Sequence, residues 1–435
     1  MTTLWDNFFE YWYNMGFEKI VRLFWYFFFL EVPRYIFFEI VVLLIFVLGK
    51  KRRNRKFDMA KNKLWLDNPL VSIIVPGKNE GKHIYKLVLS LKEQTWQNYE
   101  LIIIDDGSSD DTPTICRNLE KQKMIDRFLR NENRGGKASA ANFGLRYTKG
   151  KYIVHLDADC SMDRDAIEQV LLPFYIDPKV KAVGGNVKVR NHNENVLTTL
   201  EAIEYLFTIS MGRIVTSFLG IYKIVSGAFG AFDREVISSL GGWDIGPGLD
   251  GDITVKVRKR GYKIAFADRA VCLTSVPNTP WKLTKQRLRW SKSLVRFRLR
   301  KHFDVLLPQG NFNFLNFFAS FENIFFNLVM DFLWFYYIIG LIITNIEFFW
   351  QIFFFKLFLY IIKNFIQFAV AMGFSERKSE EWKYWIYVPL MFFYVGVFMR
   401  IVRTFAYVLE MFWYSSYKDP WNPAKSSRQA RDMGI

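Results

Sequence analysis

At 435 residues, of which 51% are hydrophobic and 44 are Phe, the chain is long enough for more than one domain and too aromatic at its two ends for a single soluble enzyme. A net charge of +17 fits nucleic acid, an anionic membrane surface or an anionic substrate, but the basic residues gather in KKRRNRK at 50–56 and between 282 and 301, beside apolar stretches, and no nucleic-acid-binding module is recognisable, so nucleic acid is set aside. The three cysteines, Cys116, Cys160 and Cys272, have neither metal-ligand spacing nor a disulfide framework and fit a reducing compartment.

Residues 1–30 mix aromatics with Asp6, Glu10, Glu18, Lys19 and Arg22, which predicts an amphipathic interfacial helix, with a spanning helix as the alternative. Glu31, Pro33 and Arg34 break that pattern, and 35–48 is apolar apart from Glu39: a short membrane anchor rather than a removable signal, since no small-residue cleavage site follows. The basic run that comes next marks the cytoplasmic side and places the following domain there.

From Pro69 the pattern becomes strands alternating with helices. Strands are predicted over 71–75, 101–105, 127–130 and 152–156, and helices over 83–95, 112–124 and 137–147. This alternation, which holds to about Ala270, implies a mostly parallel, doubly wound α/β sheet. Ligands of such sheets bind beyond the carboxyl ends of the strands.

After Asp268 the chain is strongly basic, and Leu283, Leu288, Trp290, Leu294 and Phe297 can share one apolar helix face lying along a membrane surface. Stretches at 321–344, 348–372 and 384–407 are long enough to span, although Lys356, Lys363, Arg400 and Arg403 interrupt them. Three spans would carry the C-terminus outside, against the Lys418, Lys425, Arg428 and Arg431 of the tail. Either the last stretch is partly interfacial or the N-terminal region hides a further pass. The chain thus divides into an N-terminal anchor (1–56), an α/β domain (57–275), a basic interfacial helix region (276–310), membrane helices (311–416) and a basic tail (417–435).

The chemistry-bearing residues sit at the strand ends. KYIVHLDADC at 151–160 is a buried strand delivering Asp157 and Asp159, which together can share a hard divalent cation; the plain alternative is a polar strand end leading into a helix. LIIIDDGSSDD at 101–111 ends a strand in Asp105 and Asp106, either nucleoside contacts or a capped turn. NRGGKASAANFG at 133–144 sets a glycine pair and Lys137 at a helix start, an anion site or a flexible turn with a solvated lysine. The scattered histidines, His83, His155, His192 and His302, have no zinc-like spacing and read as structural.

VPGKNE at Val75, DDGSSDDT at Asp105, NRGGKASAANFG at Asn133, DADC at Asp157, SGAFGAF at Ser226, GGWD at Gly241 with GLDGDIT at Gly248, and QRLRW at Gln286 occur in this order. Together they resemble the processive family 2 glycosyltransferases of membranes: poly-N-acetylglucosamine, chitin-oligosaccharide, hyaluronan and cellulose synthases. The likeness covers about 71–301. It implies a cytoplasmic GT-A domain flanked by interfacial and transmembrane helices in a multi-pass protein of the cell membrane.

It also implies an inverting β-glycosyltransferase that takes a UDP-sugar, with UDP-N-acetylglucosamine the expected donor, extends a polysaccharide and passes it between its spans, with an accessory export subunit as a possible partner. By the same resemblance Asp106, with Asp105, corresponds to the uridine contact, Lys137 to the diphosphate lysine, and Asp157 and Asp159 to the Asp-x-Asp pair that holds Mg2+ or Mn2+, Asp159 as the direct ligand. Asp250 corresponds to the catalytic base. Leu249 stands before it where the family carries an acidic residue, which leaves Asp252 as a competitor. Gln286 and Arg289 correspond to diphosphate contacts and Trp290 to the acceptor-site indole. The rival readings are a polyprenyl-phosphate sugar transferase, against which the Gln286–Trp290 run speaks, and a non-catalytic export scaffold.

Overall fold

The computed structural model describes residues 4–246, 248–309, 312–344, 346–419 and 422–434. Among them eight strands form one sheet in the order β3-β2-β1-β4-β7-β6-β8-β5: β1 Val71–Gly77, β2 Tyr99–Asp105, β3 Arg127–Arg130, β4 Tyr152–Leu156, β5 Ser161–Met162, β6 Val180–Val189, β7 Phe229–Asp233 and β8 Lys263–Thr274. The pairs β3-β2, β2-β1, β1-β4 and β6-β8 are parallel, and β4-β7, β7-β6 and β8-β5 antiparallel.

The parallel half follows from its residues. Val71, Ile73, Ile74 and Val75 of β1 and all of β4 are buried, as strands covered by helices on both faces must be. The helix Gly81–Lys92 buries Ile84, Leu87, Val88 and Leu91, one stripe at helical spacing against the sheet. Strand ends of β1, β2 and β4 therefore share one edge. Since β7 runs antiparallel to β4, its first residues start at that edge too; Leu156 pairs with Phe229. After Asp159 the chain pairs briefly as β5 before the helix that Asp165 precedes begins at Ala166.

The N-terminal region differs from expectation. Glu31, Pro33 and Arg34 do not break the helix, which runs on through Phe27–Leu48 and then turns by 66° into Lys50–Asp67. The turns Phe27–Glu31 and Pro33–Phe37 are widened to π geometry, which accommodates the missing Pro33 amide. The charges survive because they are paired: Glu31 with Arg400 at 2.9 Å and Arg34 with Glu322 at 2.5 Å.

Three helices, Phe314–Ile343, Phe349–Phe374 and Lys378–Trp413, are long and apolar enough to cross a membrane, and the bent Phe27–Asp67 pair makes a fourth if it counts as one span. Their interrupting charges turn inward. Arg403 bonds both oxygens of Asp331 at 2.7 and 2.9 Å, and Lys356 lies 4.8 Å from the Tyr337 ring centroid and 5.4 Å from that of Tyr26.

The Lys378–Trp413 helix meets the α/β domain near its start and the basic helix near its end. Arg377 bonds Asp163, Lys188 pairs with Glu381 at 2.5 Å, and Arg300, on the basic helix that follows the sheet, pairs with Glu410 at 2.9 Å. The tail after it lies on the same domain, where Ser426 Oγ donates to Gly135 O at 2.9 Å.

Candidate active site

Asp157 and Asp159 stand at the edge where β4 ends. The Asp157 N–H donates to Ala228 O at 3.2 Å, so the segment leading into β7 lies directly against it. Lys137, first residue of the helix Lys137–Leu145, makes an ion pair with Asp157 Oδ1. Burial alone would lower the Lys137 pKa; Asp157 and then Asp250 outweigh it, and the ammonium is held charged.

Asp159 Oδ2 accepts from Thr274 Oγ1 at 3.3 Å, at the end of β8. Burial first, and then the neighbouring Asp157 charge, push the Asp159 pKa up. The two carboxylates, one residue apart, are a hard oxygen donor set suited to Mg2+ or Mn2+. No group of three or more His, Cys, Asp or Glu that could hold an ion occurs among the described residues. Phosphate oxygens and water would have to complete such a shell.

At the end of β2, both oxygens of Asp106 are engaged: Oδ1 accepts from Gly135 N and Oδ2 from Gly136 N, each at 2.8 Å. This corrects the expectation of exposed amides at the glycine pair, since those amides already hold the buried Asp106. Gly136 has φ 92°, a backbone that favours glycine, and thereby turns its N–H inward. Asp105 is buried, accepts from Ser108 N at 3.1 Å and faces Arg130 at 3.5 Å, so it braces the turn.

Beside them opens a cleft of about 410 Å³, lined by Lys78, Lys82, His83 and Arg134 on one hand and Glu80 and Asp159 on the other. The size suits a nucleotide-sized ligand and the cationic Lys78, Lys82 and Arg134 suit its phosphates, while burial lowers the His83 pKa. Glu80 is pushed up to about 7 by burial, then by Asp159 and Asp157. The sequence carried Glu80 inside VPGKNE without any signal that it would face the Asp-x-Asp pair.

Asp250, in the first turn of Leu249–Lys259, points to Gly227 at the start of β7's edge. A Cβ at Gly227 would fall 2.9 Å from Asp250 Cγ, so glycine is required for this approach. Burial raises the Asp250 pKa, and Lys137 and the Gly227 N–H pull it back. His155, buried in β4, bonds Gly227 O through Nδ1 at 2.7 Å and fixes that loop from beneath, a structural role as expected.

Asp252 faces elsewhere. It bonds His302 Nε2 at 2.7 Å and Lys301 Nζ at 2.8 Å, with Lys256 at 3.8 Å. Burial opposes its ionisation, but the His302 bond and then Lys301 hold the carboxyl far below its ordinary range. Asp250 is thus the carboxylate in the electrostatic neighbourhood of Lys137 and Asp157, while Asp252 ties its helix to the end of the basic segment.

The basic segment folds as the helix Pro280–Leu294, continued by Val295–Lys301. Its arginines were expected at a membrane border, yet Arg287, Arg296 and Arg298 are buried in protein. Arg298 donates to Lys223 O at 2.9 Å. Leu283 and Phe297 are buried while Trp290 is 40% exposed, so the expected single apolar face is split between core and surface. Gln286 Oε1 is buried without a hydrogen-bond partner. Burial lowers the Arg289 pKa, and the charges of Asp419, Asp157 and Asp250 act against that shift.

Another tie went unseen in the sequence. Asn142 accepts from Trp243 N at 2.9 Å and donates to Trp243 O at 2.6 Å, joining the helix that carries Lys137 to the loop before Asp250.

Residues 72–241 match the model of the glycosyl transferase family 2, a match that ends just ahead of Asp250. Over 316 residues the chain is 30% identical to a poly-β-1,6-N-acetyl-D-glucosamine synthase of Staphylococcus epidermidis, covering 72% of this chain and 76% of that one. The synthase of the same name from Staphylococcus aureus is 32% identical over 238 residues, 54% of this chain and 57% of its own. In three dimensions the chain is similar to a mannosyltransferase from Pyrobaculum calidifontis solved with GDP-Man and Mn2+, with a TM-score of 0.55 and 20% identity over 87% of this chain and 99% of that one, a likeness of GT-A fold. The chain therefore belongs to the family 2 glycosyltransferases and is a glycosyltransferase of the poly-N-acetylglucosamine-synthase-like kind.

Proposed function

We propose that the protein is an inverting β-glycosyltransferase that uses a UDP-sugar, UDP-N-acetylglucosamine by similarity to its named relatives, to extend a polysaccharide. The observation that carries this is the convergence of Asp250, Lys137 and Asp157 at one sheet edge, with a protonatable carboxylate and a fixed cation on a single site.

The acceptor hydroxyl gives its proton to Asp250 as its oxygen bonds to the anomeric carbon; the bond from that carbon to the diphosphate breaks with its electron pair on UDP, and configuration inverts. Lys137 and Arg289 meet the charge that develops on the leaving diphosphate. Asp159 and Asp157 would hold Mg2+ or Mn2+, which supplies further neutralisation of the phosphates. Asp106, with Asp105, shapes the uridine side; Gln286 joins Arg289 at the diphosphate; and Trp290 offers its exposed ring as a platform for the acceptor sugar.

Membrane crossing follows the same reading. Phe27–Leu48, Phe314–Ile343 and Phe349–Phe374 cross the bilayer, and Lys378–Trp413 is partly interfacial, which brings the basic tail to the cytoplasmic side where the catalytic domain sits. The product passes outward among these helices.

The test is UDP release by the protein in lipid nanodiscs with Mg2+ or Mn2+ across a panel of UDP-sugars. Turnover with one sugar, lost in Asp250→Asn, with a product cut by a linkage-specific glycosidase, is expected. No UDP release from any donor would overturn the reading.

A further inference from the structure

Arg287, the residue after Gln286, is buried, yet its guanidinium carbon lies 4.7 Å from the centroid of the Trp290 ring. Its Nη2 donates to Glu204 Oε2 at 2.8 Å and reaches Glu201 Oε2 at 3.4 Å. Glu204 Oε2 also accepts from the hydroxyl of Tyr394, at 2.8 Å, on the Lys378–Trp413 helix. Four residues therefore form one line of contacts, from an exposed indole through a buried arginine and a carboxylate to an apolar helix.

Stability alone is a poor account of this line. Arg287 Nε and Glu201 Oε1 are left without hydrogen-bond partners, and a buried charge cluster with unmet polar atoms is seldom better than an apolar replacement. What the arrangement does deliver is orientation. A planar guanidinium stacked on an indole fixes its tilt, and the carboxylate in turn fixes the guanidinium. One part of the indole is held and the rest stays open, as a sugar platform requires.

We propose that Arg287 is a positioning residue for the acceptor: it sets the plane of Trp290 and, through Glu204 and Tyr394, couples that plane to the Lys378–Trp413 helix. This rests on the reading of Trp290 as the acceptor contact. Loosening the line leaves the donor site intact but lets the acceptor sugar drift from the anomeric carbon, so that water takes its place there, gives its proton to Asp250, and UDP is released without chain growth.

The experiment measures, for the full chain in nanodiscs with Mn2+ and UDP-N-acetylglucosamine, UDP released against sugar incorporated into polymer. Arg287→Lys, which keeps the charge and loses the planar stack, is expected to raise the unproductive share on the order of tenfold, and Tyr394→Phe, which removes one hydroxyl and leaves packing intact, about threefold, both at unchanged donor KM. A proportional fall of both activities at constant ratio in both variants would mean the line only supports the fold, and overturns the inference. Trp290→Ala separates the two levels. If it raises the unproductive share while Arg287→Lys and Tyr394→Phe keep the wild-type ratio, the inference alone fails; if Trp290→Ala keeps the wild-type ratio, the acceptor reading of Trp290 fails and takes the inference with it. Absence of any turnover overturns the proposed function itself.

Discussion

Asp250 and Asp252 are two positions apart on one helix, and replacing each by Asn should produce opposite phenotypes. Asp252→Asn removes a buried charge from His302, Lys301 and Lys256. Breaking a buried ion pair costs about 3–5 kcal/mol. Here both lysines keep Asp244 as a second partner, which brings the expectation down to about 2–3 kcal/mol. For a unit the size of the catalytic domain that lowers the thermal midpoint by about 5–10 °C.

Asp250→Asn instead removes a carboxylate whose ionisation burial already disfavours, so its midpoint should move by no more than about 2 °C. Its UDP release should fall by about 10²–10⁴, the contribution of a positioned general base. The assay is paired: midpoints in nanodiscs, and UDP release well below both midpoints. The stability effect of Asp252 also has a pH signature. Its folded pKa is depressed, so the stabilisation is present above the ordinary carboxylate range near 4 and is lost as pH falls through the folded value; the gap between wild type and Asp252→Asn should hold at pH 5–8 and close only below about pH 4. An inactive but fully stable Asp252→Asn beside an active Asp250→Asn would refute the assignment.

Further outcomes follow from single contacts. Gly227→Ala should abolish UDP release with little loss of fold, because a Cβ there meets the Asp250 carboxylate, and circular dichroism with a UDP assay checks both halves. Chelation by EDTA should stop UDP release and added Mn2+ or Mg2+ restore it, with Asp159→Asn insensitive to either addition. Asn142→Ala removes two hydrogen bonds to the Trp243 backbone, a loss of about 1–3 kcal/mol visible as a lower midpoint. Arg403→Leu should destabilise by removing both hydrogen bonds to Asp331, which keeps only the Arg400 guanidinium at 3.6 Å, whereas Arg403→Leu with Asp331→Leu should recover part of the loss, as measured by the thermal midpoint in nanodiscs.

The parallel half of the sheet was legible because its signals are local. Arg127–Arg130 and Tyr152–Leu156 fall as strands at the expected residues, and the helices 112–124 and 137–147 differ from Thr112–Lys121 and Lys137–Leu145 only at their C-terminal ends, where helices fray. Strand ends also announced Asp105, Asp106, Asp157 and Asp159. What pattern could not announce was direction. Asp106 turned out to hold the glycine pair, and Asp252 to grip the basic helix, because each partner lies 25 or more residues away in the chain. Spacing records that a carboxylate is near a site, but not which way its oxygens face. The buried arginines show the same limit, since Arg287 and Arg298 look identical in sequence to lysines and arginines that meet lipid head groups.

The charges within the apolar stretches carry the same lesson to the membrane. Glu31 and Arg34 appeared to end a helix because an unpaired charge has no place in a bilayer. Their partners, Arg400 and Glu322, come from helices more than 280 residues further on, and once paired they turn from breaks into fasteners between helices. On the proposed reading, the conflict over the tail resolves on the same principle. Counting three spans treats Lys378–Trp413 as free to run away from the domain, yet Glu381 is bound to Lys188 near its start and Glu410 to Arg300 near its end. On that reading a helix tied near its start to the α/β domain and near its end to the basic helix returns the chain to the side it left. The basic tail, resting on Gly135, then keeps company with the other Lys- and Arg-rich segments and needs no exception to the positive-inside rule.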